Sequence, residues 1–320
     1  MASPSRLGLV GVLVLTSGLA LAATGGGCSG DDGAIGSSSS GGTGDGGTSG
    51  TSGTSGASGT SGTSGTSGTS GTSGASGTSG DGGSSGSPAG ALKAGKTTLA
   101  IKAAGTDRSV IVVVPTTIGS GKLPLVIALH GNGDTNTNFI TGTTTLEALA
   151  ESKSFVLAAP QGISQDITIG GQTVPGVDWD PYRTVAGGNI DLPLLDAIRT
   201  QLVASGSIDT KKLVVFGYSQ GGYMSFRYGM DTSATLACTG LIGAANPLGP
   251  QLTAAAPRKI PVALQIGTND GAIGQARNTM ADLESKSFPL DYHEIAGAGH
   301  VPVAGGVTVP LTYCLGQSLP

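Results

Sequence analysis

A run of four apolar residues, Leu213 to Phe216, leads directly into Gly217-Tyr218-Ser219-Gln220-Gly221-Gly222, and a helical pattern then continues to Met230. A strand that passes into a helix over so short a link must turn sharply. Side chains two positions before and after Ser219 would collide with neighbouring backbone, and Gly217 and Gly221 stand there. The turn raises the serine hydroxyl above the strand end, at the amino end of a helix, where developing negative charge is favoured. Gly-x-Ser-x-Gly alone is a weak pattern in a chain with 58 glycines. Its place between a strand and a helix makes it specific.

The surrounding sequence predicts a matching fold. Val110 to Val114, Leu125 to Leu129, Phe155 to Ala159 and Val262 to Ile266 are further short apolar runs bounded by Gly, Pro, Asn or Asp, as buried strands are, and Leu290 to Ile295 is read as one more strand. Asp191 is placed to cap a helix whose one face carries Leu194, Leu195, Ile198 and Leu202, and Ala276, Met280 and Leu283 share a face of another. Strand–helix alternation predicts an α/β fold, with a mainly parallel sheet covered by helices on both faces. In such sheets reactive groups gather at the carboxyl ends of the strands.

A serine hydroxyl needs a base, and the base needs an orienting acid. Of three histidines, His300 lies in a loop just after the last predicted strand, His293 inside that strand, and His130 at the end of Leu125–Leu129. Position selects His300. The acid is expected between Ser219 and His300 at a strand end, which is Asp270 in Gly267-Thr268-Asn269-Asp270-Gly271. Asp282 and Asp291 read as surface charges, and Asp231 is the nearer rival. The order Ser, Asp, His is one in which this constellation is known to occur. A histidine base titrates near neutrality, so activity is expected to fall in acid. An oxyanion requires two amide donors. One is the amide of Gln220, after the serine. The other is assigned to Asn132, in the glycine-flanked turn His130-Gly131-Asn132-Gly133-Asp134, with His130 and Asp134 buttressing that loop. Trp179 and Tyr182 follow a long Gly-rich segment and are expected to line a substrate cleft, with packing at the domain rim the alternative for Trp179. No metal-ligand spacing and no phosphate-cradling loop in context is found, so neither metal nor cofactor is expected.

His130-Gly131, Gly217 to Gly222, Asp270 and Gly299-His300 together resemble an α/β-hydrolase, over about residues 95–315. The resemblance is to small esterases without a large cap domain. One group is the secreted polyhydroxybutyrate depolymerases and feruloyl esterases, which His300-Val301-Pro302 resembles. The other is the carboxylesterases, phospholipases and acyl-thioesterases, which the His130 loop and Ser219-Gln220-Gly221-Gly222 resemble more. This implies cleavage of carboxylic esters, polymeric ones included, through an acyl-serine and without a metal; a monomer is expected. Gly271-Ala272-Ile273 stands where these groups often carry Val-Pro, which leaves the acyl group open. A serine peptidase or thioesterase with the same triad, and a non-catalytic surface module, are the alternative classes.

The remainder of the chain sets the compartment. Residues 1–23 carry one charge, Arg6, before an uncharged run ending in Ala20-Leu21-Ala22, a secretory signal peptide pattern. Residues 24–90 contain 26 glycines, no Lys, Arg or aromatic residue, and eleven Thr-Ser-Gly triplets between Thr48 and Gly80, with Ala57 and Ala75 in place of Thr. Such a segment cannot offset its ordering entropy by burial and reads as a disordered linker. Cys28, after Gly25-Gly26-Gly27, resembles a bacterial lipoprotein processing site. That makes the protein an expected export, extracellular or tethered to the cell surface or outer membrane. Cys238 and Cys314 would then form an even pair able to join in a disulfide. Residues 91–320 hold the catalytic domain, with 15 basic and 16 acidic side chains. That balance excludes a nucleic-acid binder, which needs clustered cations.

Overall fold

The computed structural model describes residues 90–117, 121–302 and 306–320. The expected signal peptide, the linker and Cys28 lie outside the described residues. Among the described residues there are ten strands: β1 (Gly95–Ala103), β2 (Thr106–Val114), β3 (Leu123–Leu129), β4 (Val156–Pro160), β5 (Gln165–Ile169), β6 (Gln172–Val177), β7 (Ile208–Tyr218), β8 (Cys238–Ile242), β9 (Val262–Gly267) and β10 (Leu290–Ile295). Eight form one sheet in the order β1-β2-β4-β3-β7-β8-β9-β10. From β4 to β10 neighbours run parallel, and β1 and β2 close one edge antiparallel. The helices are α1 (Asn136–Asn138), which continues as a π-helical turn over Phe139–Thr143, α2 (Leu146–Lys153), α3 (Asp191–Ala204), α4 (Gln220–Asp231), α5 (Pro250–Ala255), α6 (Ile273–Ser285) and α7 (Thr308–Leu315). This is the α/β-hydrolase architecture. Its longest excursion among the described residues is the β5–β6 hairpin between β4 and α3, so no large cap covers the sheet.

Side chains of a strand alternate between faces, and β7 shows what this does to the core. Leu213 and Val215 join Leu194, Leu195, Ile198 and Met224 from α3 and α4 on one face. Val214 and Phe216 join Phe139, Leu146, Ala150 and Leu311 on the other. On that second face Cys238 of β8 is disulfide-bonded to Cys314 of α7, 76 residues away.

Asp191 does not cap its helix. The Oδ1 of Asn189 takes the amides of Asp191 and Leu192 instead. The Asp191 carboxylate is buried against Arg108 at 3.1 Å, and burial pushes its pKa up despite the opposing hydrogen bonds and the guanidinium. Charge buried this way specifies position more than it stabilises. Here it pins α3 to β2.

Candidate active site

Ser219 sits between β7 and α4 with φ 52° and ψ −124°, a backbone conformation that costs a non-glycine residue on the order of 1–3 kcal/mol. The cost is met by packing. A Cβ on Gly217 would strike the carbonyl of Gly221, and one on Gly221 would strike the carbonyls of Leu129 and His130. The elbow therefore presses directly on the carboxyl end of β3. The Ser219 amide donates to Ile242 O of β8 at 2.9 Å, which locks the serine over the sheet rim.

The Ser219 hydroxyl lies 2.8 Å from Nε2 of His300. Nδ1 of the same ring lies 2.8 Å from Oδ2 of Asp270. A carboxylate can only accept, so Nδ1 carries the proton and Nε2 faces the hydroxyl as an acceptor. Asp270 is 3% exposed. Burial alone would raise its pKa, but the hydrogen bonds from His300 and the Ala272 amide, with the nearby imidazole, outweigh it and hold the carboxyl below its usual value. Three side chains from the ends of β7, β9 and β10 thus meet at one rim. Tyr218, which the sequence did not single out, donates its hydroxyl to His300 O at 2.8 Å, and its ring lies 5.3 Å from the imidazole. Its signal was present only as the unspecified position of the elbow motif.

The rivals are occupied elsewhere. His293 faces Asp291 at 3.0 Å, Asp231 is paired with Arg227, and Asp282 with Lys286.

Asn132 lies on the loop after β3 and Gln220 opens α4, and the two segments meet at the elbow. Among the described residues neither backbone amide has a protein acceptor. The loop after β3 is held from below by His130, which is fully buried. Its Nε2 accepts the Gly162 amide at 2.9 Å, so the proton is on Nδ1, which donates to Gly131 O at 2.8 Å. Gly131 O and the Asn132 N–H belong to one peptide plane and point oppositely. Fixing the carbonyl downwards turns the Asn132 amide away from the core. Burial lowers the His130 pKa, against the Gly131 carbonyl and the carboxylates of Asp178 and Asp134 and with the Arg108 charge, which favours the neutral ring this arrangement needs.

Trp179 does not line a cleft. It is fully buried, donates its indole N–H to His130 O at 2.9 Å, and packs under Arg108. It sits in the core rather than at the domain rim, because the Gly-rich segment before it folds into β5 and β6 and carries the tryptophan inward. Tyr182 is half-buried, with its ring centroid 6.4 Å from that of Tyr223. Tyr223 lies one turn beyond Ser219 on α4 and donates its hydroxyl to Gln275 at 3.0 Å.

The sequence profile of the phospholipase/carboxylesterase family matches residues 118–300. A bifunctional acetylxylan esterase/xylanase, XynS20E of Neocallimastix patriciarum, is 27% identical over 169 residues, which are 53% of this chain and 22% of that protein. The chain therefore spans about a fifth of that curated relative's length. Among solved structures, the ferulic acid esterase AmCE1/Fae1A of Anaeromyces mucronatus, bound to ferulic acid, superposes with a TM-score of 0.53 at 20% identity, covering 71% of this chain and 90% of that one. FphF, a fluorophosphonate-binding serine hydrolase of Staphylococcus aureus, gives 0.53 at 13% identity, covering 69% and 97%. Likenesses at such identities carry the fold.

Proposed function

The chain belongs to the phospholipase/carboxylesterase family of carboxylic ester hydrolases, and from that membership we propose that it is a serine esterase acting through an acyl-serine intermediate. The observation that carries the reading is the continuous pair of 2.8 Å contacts from Ser219 through His300 to Asp270. Ser219 Oγ attacks the ester carbonyl carbon as its proton passes to His300 Nε2. The carbonyl oxygen becomes an oxyanion held by the amides of Asn132 and Gln220. Collapse breaks the bond to the alcohol oxygen, which leaves with the proton from His300. Water then adds to the acyl-serine, gives a proton to His300, and the carboxylic acid departs as Ser219 regains its own. Asp270 stays ionised throughout, and holds the tautomer and the developing imidazolium.

For the substrate, the acetylxylan and ferulic acid esterase relatives favour acetyl or feruloyl esters of plant polysaccharide over a polyhydroxybutyrate polyester. Tyr182 and Tyr223 would form an aromatic wall beside the acyl group. Export, with Cys28 as a lipid anchor and residues 24–90 as the tether, suits a polymer that cannot enter the cell. A panel of acetyl, feruloyl and longer acyl esters, a polyhydroxybutyrate film and a peptide substrate tests this. Hydrolysis of the short and feruloyl esters, lost in Ser219→Ala, is the expected result. Cleavage of the peptide alone would overturn it.

A further inference from the structure

The two amides assigned to the oxyanion follow different strands, Asn132 after β3 and Gln220 after β7, and a third segment touches the side chains of both residues. The backbone N–H of Asp178 donates to Oδ1 of Asn132 at 3.0 Å and to Oε1 of Gln220 at 3.2 Å. Its carboxylate accepts the Gly133 amide at 2.6 Å. Close approach is required: a Cβ at Gly162 would lie 2.8 Å from Cβ and 2.9 Å from O of Asp178. On its far side the segment is anchored in the core. Trp179 is buried against His130, and the Asp180 amide donates to the Asp191 carboxylate that Arg108 holds.

We propose that Asp178 is a positioning residue for ester hydrolysis, bracing the loop of Asn132 against the start of α4 at Gln220 so that their amides keep the spacing a tetrahedral intermediate demands. The inference rests on the oxyanion reading above. Asp178 touches no reacting atom. Its carboxylate, holding the Gly133 amide, fixes the peptide plane that follows Asn132, while His130 fixes the plane before it. Its own N–H ties the Asn132 and Gln220 side chains to one point. Misplacing a catalytic donor by about 1 Å can cost on the order of a hundredfold in rate.

The test compares full-length wild type, Asp178→Ala, Asp178→Asn and Asn132→Ala on a p-nitrophenyl acyl ester, with inhibition by an alkylboronic acid that forms a tetrahedral adduct on serine. In Asp178→Ala, kcat should fall about tenfold or more with KM within about threefold, and boronate inhibition should weaken by the same factor as kcat/KM. Asp178→Asn keeps an oxygen able to accept the Gly133 amide and should recover most of the rate. Asp178→Ala and Asn132→Ala combined should lose less than the product of their separate losses. A kcat within about twofold of wild type in Asp178→Ala, a loss carried by KM alone, or unchanged boronate inhibition would overturn the proposal. Should Asp178→Ala not fold, Asn132→Ala, which keeps its amide, decides: unchanged kcat and boronate inhibition there would overturn it equally. A wild type that hydrolyses no ester, or a fully active Ser219→Ala, defeats the parent reading instead, a pattern distinct from any among the position-178 variants.

Discussion

At Asp270, burial and hydrogen bonding pull the pKa in opposite directions, and the hydrogen bonds win. Asp270→Asn keeps the shape but removes the acceptor that fixes the Nδ1–H tautomer, so kcat should fall by about 10⁴ with the fold intact. Steady-state kinetics beside a circular dichroism spectrum checks it. His130 supplies a second prediction. Its folded pKa lies below the ordinary 6.5, so unfolding takes up a proton between those values. Its contribution is complete above about pH 6.5 and is lost as pH falls towards the folded pKa. Asp270, depressed below 3.8, contributes fully above that value and loses its contribution as pH falls through the folded one. In Asp191→Asn, which removes the buried carboxyl whose raised pKa works in the opposite sense as pH falls, the thermal midpoint should therefore hold from pH 8 to about 7, decline below about 6.5, and decline again below about 4. A midpoint that rises from pH 7 to pH 5 would contradict this. The positions of the serine, the imidazole and the carboxylate along the chain were legible because each had to follow a strand. Asp178 and Tyr218 were not, since both work through backbone groups whose placement no residue pattern reveals.

Among the elements, the strands with apolar runs were the legible ones: β3, β4, β7 and β9 in the parallel part of the sheet and the antiparallel β2, with the half-buried edge strand β10 placed by its flanking residues. β1 was missed because most of its side chains, Lys96 and Lys102 among them, face solvent. β8 hides its signal in Cys238-Thr239-Gly240, and β5 and β6 are largely exposed. α7 carries Pro310 in its first turn, which local propensity counts against a helix though the position tolerates it. The link from α7 to β8 through Cys314 and Cys238 closes a long loop. Replacing both cysteines by serine should cost roughly 2–4 kcal/mol of stability. The thermal midpoint should fall by about 5–15 °C. Activity at 25 °C should survive, because the bond lies in the core cluster of Val214 and Phe216 and contacts none of the triad. Equal midpoints for the double variant and wild type would show that the bond adds nothing.

On the scale of the whole molecule, the proposed esterase domain follows the Thr-Ser-Gly tract proposed above as its tether. Deleting residues 24–90 while keeping the export signal should leave kcat on a soluble ester unchanged and release the protein from the membrane fraction, checked by fractionation and by the mass of the mature amino terminus. Everything proposed for catalysis converges on one covalent event at Ser219. Intact-protein mass spectrometry after rapid mixing with an activated ester reads it most directly. The acyl mass should appear within the burst, map to the peptide holding Gly217 to Gly222, and be absent in Ser219→Ala. Full turnover by Ser219→Ala, or an acyl group mapped to any other residue, would contradict it.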